Sequence, residues 1–186
     1  AYYKIFERCG LKAIYTLAAG GVFTDKFTHE FQVVSAVGED TIYLCEKCEY
    51  AENKEITKLK DGDDCPKCKG TVSEKKSIEV GNIFDQGTKY SEALGLYFVD
   101  ESGNKKPVIM GAYGIGLGRV MATAVEVHSD ERGIIWPENI APFKYHLVTL
   151  DGKDQEAEKI YQELGEDNVL YDDRKDKTPG EKFADA

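Results

Sequence analysis

The sequence contains no apolar run approaching the roughly 18 residues of a membrane-spanning helix, and no stretch of it resembles a secretory signal peptide. It lacks a basic excess: 24 Lys and Arg stand against 34 Asp and Glu, a net charge of −10. That balance argues against non-specific adhesion to nucleic acid, although a specific RNA partner needs only a local basic patch. It lacks an even set of cysteines. Five fit poorly with a secreted disulfide framework, so a cytoplasmic location is expected. It also lacks two common phosphate-binding signatures. Gly114-x-Gly116 has Arg119 where a dinucleotide fingerprint needs its third glycine, and no Gly-Lys-Ser/Thr follows, which excludes a P-loop.

What remains is an ordinary globular composition, 41% hydrophobic and 31% charged over 186 residues, enough for one or two domains. The chain opens inside an amphipathic helix (Tyr3, Ile5, Phe6 and Cys9 on one face) and stops just after Pro179 begins another. Both ends read as cut, and a segment of a longer protein is expected. Helix is predicted over 1–10, extended chain over 12–19, then a polar loop from Gly20-Gly21 to Thr28-His29-Glu30-Phe31. Strands are predicted at 31–37, 41–44, 77–84 and 94–99, with 85–92 a loop. Asp100–Asn104 reads as a hairpin turn pairing 94–99 with 107–110. A helix over 116–129 precedes a linker, 130–142. Strand 145–150, helix 152–164, strand 168–171 and a second helix then follow. That β-α-β alternation differs from the antiparallel part before it and sets an expected domain boundary near 142.

Residues 45–76 break the composition: they are rich in Lys, Asp, Glu and Cys and poor in large apolar side chains. Cys45-x-x-Cys48 and Cys65-x-x-Cys68 have the spacing of a four-thiolate zinc site, in which two knuckles close a tetrahedron round one ion. So polar a segment needs metal to fold; a redox pair or inert thiols is the alternative. Cys9 reads as a small core residue, and His128 and His146 read as structural.

The run PVIMGAYGIGLGRVMATAVE (107–126) carries the sharpest signal. An apolar strand leads into glycines at 111, 114, 116 and 118, which let backbone approach a bulky ligand. Arg119 then presents a forked cation at the first turn of a helix, where phosphate oxygens could meet it. A tight packing turn with a surface arginine is the plainer reading. The loop Gly81–Glu92 gathers Gln86, Thr88, Tyr90 and Ser91, able to hydrogen-bond a small ligand, and Lys89, able to neutralise a phosphate. A solvated strand connection would look the same. His29, beside Glu30, is either a pocket residue or a hydrogen-bonded loop histidine.

Gly-x-Gly-x-x-Arg at a strand-to-helix junction resembles motif 3 of class II aminoacyl-tRNA synthetases. THEF (28–31), GEDTIYLCEKCEYAENKEI (38–56), IEVGNIFDQGTKYSEALG (78–95), MGAYGIGLGR (110–119), GIIWPENIAPF (133–143) and LYDDRKDKTPGEKFADA (170–186) together resemble the bacterial-type prolyl-tRNA synthetase family. The resemblance implies an α+β fold: the C-terminal half of an antiparallel-sheet class II catalytic core over 1–142, with a zinc-knuckle insert at 45–76. The start of an α/β anticodon-binding domain follows over 143–186. It implies ATP-dependent activation of proline to prolyl-adenylate, with Mg2+ accompanying ATP, and transfer to tRNA(Pro), in a full-length homodimer with no membrane association. By position, Arg119 matches the catalytic arginine on ATP phosphate. Thr88, Gly114 and Gly116 match the adenylate pocket, and His29 and Glu30 the loop near the amino-acid pocket; with Gln86, Tyr90 and Ser91 they form a possible substrate pocket. A non-catalytic zinc-bearing paralogue that binds tRNA or a protein is the alternative.

Several departures bear on activity. Motifs 1 and 2 are absent, so the segment alone is expected to be inactive. The loop from Gly21 to His29 is longer than the family's Gly-Gly-Ser-x-Ser-His form. Asp85 stands where the family often has Gln or Lys. The polar cysteine insert takes the place of the large editing insertion, so no cis-editing of alanyl-tRNA is expected.

Overall fold

The computed structural model describes residues 1–186. They form two compact units, Ala1–Val127 and His128–Ala186. In the first, helix α1 (Tyr2–Arg8) leads into strands β1 (Ala13–Ala18), β2 (Thr28–Val34), β3 (Asp40–Cys45), β4 (Ala51–Asn53) and the sixteen-residue β5 (Val72–Gly87). A short helix α2 (Lys89–Ala93), the hairpin β6 (Tyr97–Val99) and β7 (Lys105–Pro107), strand β8 (Met110–Ile115) and helix α3 (Leu117–Val127) complete it. The sheet is antiparallel apart from β1 with β4. Pairings β1–β2, β2–β5, β5–β3, β3–β4 and β4–β1 close on themselves, and β8 adds to the free stretch of β5. Alternation buries Ile14, Phe31, Val33, Ile42 and Leu44, while α1 contributes Phe6 and α3 contributes Val120 and Ala124.

Strand β5 differs most from expectation. Its first residues lie in the polar insert yet pair with β3, with Cys45 opposite Val72. Cys45, Cys65, Val72 and Tyr43 form a small buried cluster there, with Tyr50 and Leu59 packed against it. The insert is therefore the far end of a sheet ladder rather than a detached loop. Strand β5 also runs on to Gly87, where a loop is expected from Asp85, and Thr28–Glu30 is strand rather than loop. The hairpin pairs Tyr97–Val99 with Lys105–Pro107, not 107–110. The Asp100 carboxylate accepts from Ser102 and Asn104 N–H groups, closing a tight turn with Gly103 at φ 80°. This frees Met110–Ile115 to pair with β5.

In the second unit, β9 (Tyr145–Val148) and β10 (Val169–Asp172) are parallel and joined by helix α4 (Asp154–Leu164), the geometry a β-α-β crossover requires. Helix α5 (Pro179–Asp185) starts with a capping box between Thr178 and Glu181. Lys182 is buried and donates to the Thr149 carbonyl at 2.8 Å. The units divide at Val127 and His128, so the expected linker 130–142 groups with the second unit. Trp136, Pro142 and Phe143 line a cleft of about 1380 Å³ together with Tyr145, Leu170 and Phe183.

Candidate functional site

A bulge organises the polar face of the first sheet. Between β2 and β5 the register shifts, so that Phe31 pairs with Gly81 but Gln32 pairs with Glu79, and Val80 is the extra residue. Glu79 and Asn82, three apart, thereby reach the same face, where Asn82 Nδ2 donates to Glu79 Oε1 at 2.8 Å. Opposite Asn82 stands Gly114. A Cβ there would lie 2.8 Å from Asn82 Oδ1, so the glycine permits the close approach.

Helix α3 begins after Gly116 and carries Arg119 in its first turn, as expected. Its guanidinium donates to Glu79 Oε2 at 3.0 Å and lies 3.5 Å from Glu39 Oε1, while half of the side chain stays exposed. Further along the same face, the Glu30 carboxylate accepts from Gln32 Nε2 at 2.9 Å and Asn53 Nδ2 at 3.2 Å. Gln32 Nε2 also donates to Asp40 Oδ2 at 2.8 Å. Burial pushes the Glu30 carboxyl above its ordinary value, and nearby Glu79 and Asp40 add to this against the Gln32 and Asn53 donors. Gln32 is fully buried, and its Oε1 is an unpaired acceptor.

The other expected pocket residues are spread more widely. His29 alternates to the opposite face from Glu30 and stacks on Tyr15 at 4.2 Å between centroids. That face also carries the Phe31 ring, stacked on Tyr2. Burial lowers the His29 imidazole below its ordinary value. Thr88 stands at the N-cap position of α2 with no side-chain capping bond, and the buried Ser91 hydroxyl donates to its carbonyl at 3.0 Å. Lys89 Nζ at 2.8 Å and Tyr90 OH at 3.5 Å both donate to the Val22 carbonyl, in the long loop before β2. Lys26 of that loop pairs with Asp85 at 2.7 Å, and this contact chiefly holds the Asp85 carboxyl below its ordinary value. Gln86 is half-buried. Gln32, Asp40, Asn53, Glu79 and Asn82 were not singled out from sequence. Their convergence depends on the bulge and on pairing between distant strands.

The four cysteines of the insert form a second constellation. Cys45 Sγ is 3.5 Å from Cys68 Sγ, Cys48 Sγ is 3.7 Å from Cys65 Sγ, and all four lie within 4.8 Å of one another. A four-thiolate tetrahedron with metal–sulfur bonds of about 2.3 Å has edges of about 3.8 Å. The two knuckles share one backbone pattern. Cys45 N–H donates to Tyr50 O and Glu49 N–H to Cys45 O; Cys65 N–H donates to Gly70 O and Lys69 N–H to Cys65 O. Glu49 and Lys69, at equivalent positions, share φ near 60°. Burial would raise the Cys45 thiol, but the Cys48 and Lys47 N–H groups and the neighbouring thiols bring it down to about 7. Tyr50 N–H favours the Cys48 thiolate, yet burial and the other sulfurs push that thiol up to about 12. One bound cation would resolve this crowding by holding all four as thiolates.

The model of the class II tRNA synthetase core domain (G, H, P, S and T) matches residues 1–128. The Proline--tRNA ligase of Persephonella marina is 54% identical over 138 residues, covering 71% of this chain and 24% of that protein. The Proline--tRNA ligase of Wolbachia sp. subsp. Drosophila simulans is 38% identical over 184 residues, covering 92% of this chain and 44% of that protein. In fold, the chain resembles the prolyl-tRNA synthetase from Cryptosporidium parvum solved with L-proline and AMP. The TM-score is 0.65 at 16% identity, over 98% of this chain and 32% of that one. The chain thus spans about a quarter of the length of the Persephonella relative. A match that runs from Ala1 to the end of α3, over the residues of the first compact unit, makes this chain a member of the class II tRNA synthetase core-domain family.

Proposed function

We propose that this chain is part of a proline–tRNA ligase. The observation that carries the reading is the 54% identity to a Proline--tRNA ligase over 138 residues. A polar sheet face with Arg119 at its helix junction supports it. In the proposed reaction, a carboxylate oxygen of proline attacks the α-phosphorus of Mg2+-bound ATP, and the bond to pyrophosphate breaks. A terminal ribose hydroxyl of tRNA(Pro) then attacks the prolyl carbonyl, and AMP leaves. Arg119 neutralises phosphate charge that grows as the bond breaks, which is worth more in a preorganised site than in water. Glu79 orients the guanidinium in advance, so little reorganisation is needed when phosphate replaces the looser Glu39 contact.

Thr88, Gly114 and Gly116 line the adenylate in this proposal, and Ser91 holds Thr88 in place through its carbonyl. Glu30 shares the polar face with Arg119, whereas His29 acts from the other side of β2. Gln86 and Tyr90 complete the amino-acid side. The four cysteines hold a structural zinc: their donor type and spacing fit it, and the ion would supply folding free energy to the insert. The β-α-β unit from residue 143 begins an anticodon-binding domain, with 1–142 the second half of the catalytic domain. The complete protein is a cytoplasmic homodimer that does not deacylate alanyl-tRNA(Pro) in cis. The test is proline-dependent ATP–pyrophosphate exchange by the full-length protein. Exchange with proline and not with other amino acids is expected, and its absence overturns the reading.

A further inference from the structure

The insert carries an imbalance that its composition hides. Between Cys45 and Gly70 stand six lysines, at 47, 54, 58, 60, 67 and 69, all exposed. No carboxylate lies within ion-pair distance of any of them, although lysines elsewhere, such as Lys12, Lys26, Lys75 and Lys106, are paired. The insert's own acids are mostly engaged. Glu46 and Glu49 pair with Lys75 and Lys12, outside this stretch. The carboxylates of Glu55, Asp61 and Asp63 accept from the N–H groups of Ala19, Glu74 and Lys60, and that of Glu52 from the Tyr50 and Thr57 hydroxyls. Asp64 alone has no such partner.

We propose that these lysines form an RNA-backbone contact surface, with tRNA as its occupant; the proposal rests on the tRNA-ligase reading above. Lys47 and Lys67 occupy the same position in the two Cys-x-x-Cys turns, and Lys69 follows the second turn. A Cβ on Gly70 would lie 3.1 Å from Lys47 Cβ, so the Lys47 stem lies against the second knuckle. Three unpaired ammonium groups therefore project from two turns closed around one sulfur cluster. Their backbones are fixed by the paired hydrogen bonds of the knuckles, so only side chains need ordering on binding. Lysine meets phosphate as a point charge, and such contacts position a nucleic acid without reading its bases. Six lysines stand against seven acids between 45 and 70. Four thiolates round one dication add two further negative charges, so the surface has no net positive field and works through individual contacts at short range.

The test uses the full-length protein with Lys47, Lys67 and Lys69 all changed to Ala, and a second variant with all three changed to Arg. Metal content and proline-dependent pyrophosphate exchange, which need no tRNA, should match the parent in both. For the alanine variant, KM for a tRNA(Pro) transcript should rise about tenfold. The slope of log binding constant against log salt should become shallower by about 2 to 3, close to one per lost phosphate contact. The arginine variant should restore both values. An unchanged KM and slope in the alanine variant overturns the proposal, as does an arginine variant impaired as badly as the alanine one. Failure of the parent to exchange pyrophosphate would refute the ligase reading separately, while the salt slope would still decide on the surface.

Discussion

Changing Cys65 to Ala removes one corner of the sulfur tetrahedron, and the structure sets the size of the effect. Cys65 is fully buried, and its Sγ lies 3.7 Å from Cys48 Sγ. No carboxylate or histidine stands in the cluster to replace it. Structural zinc contributes an apparent binding free energy of about 10–16 kcal/mol. Shared over four similar ligands, that is about 2.5–4 kcal/mol each, or zinc affinity weaker by about two to three orders of magnitude at about 1.4 kcal/mol per decade. Because both knuckles have the same backbone pattern, Cys45→Ala should cost nearly the same. Cys45 opposes Val72 in the β3–β5 ladder, so metal loss should also expose 45–71 to protease while leaving β8 and α3 protected. The assay is zinc titration of the full-length protein against a competing chelator, with limited proteolysis alongside. A parent that binds no zinc while 45–71 resists protease would refute the reasoning, as would an unchanged affinity in the variant.

Two further outcomes test the polar face and its support. Burial raises the Glu30 carboxyl above its ordinary value of 4.5, so between that value and the folded one the native state binds more protons than the unfolded state. This part of the stability is therefore lost as pH rises through the folded value. Glu30→Gln removes the titration, and its melting temperature should gain on the parent from pH 4 to pH 7; parallel curves would contradict this. Gly38→Ala would place a Cβ 2.2 Å from the carbonyl oxygen of buried Ser77. Overpacking against backbone should cost about 1–3 kcal/mol or more, read as a lower denaturation midpoint, and a midpoint equal to the parent's would show that the β2–β3 turn yields freely.

Much of this architecture was legible because local and global signals agreed. Gly10, the Asp100–Asn104 turn, the step from Gly116 into a helix and the β-α-β alternation after 145 are short-range signals, and the structure follows them. The cysteine spacing also translated directly into sulfur proximity. What failed was whatever depended on distant pairing. Strand β5 continues to Gly87, past the loop expected from Asp85, because β8 pairs with it there. Thr28–Glu30, expected to close a polar loop, is strand because β1 and β5 pair with it. The bulge at Val80 brings Glu79 and Asn82 together, although simple alternation would separate them. The compact units divide at Val127 and His128, earlier than the boundary near 142 that the change of pattern suggests. The motif alone puts Arg119 at a strand-to-helix junction, but its carboxylate partners, Glu79 and Glu39, required the fold.

The most direct test of the central claim is proline-dependent ATP–pyrophosphate exchange by the full-length protein, with and without Arg119→Ala. The parent should exchange pyrophosphate with proline, and the variant's kcat/KM should fall by about 10²–10³, the loss expected for one preorganised donor at developing charge. Melting temperature should change little, because Arg119 is half-exposed and its pairs are surface contacts. Exchange at the parent rate in Arg119→Ala would contradict the account.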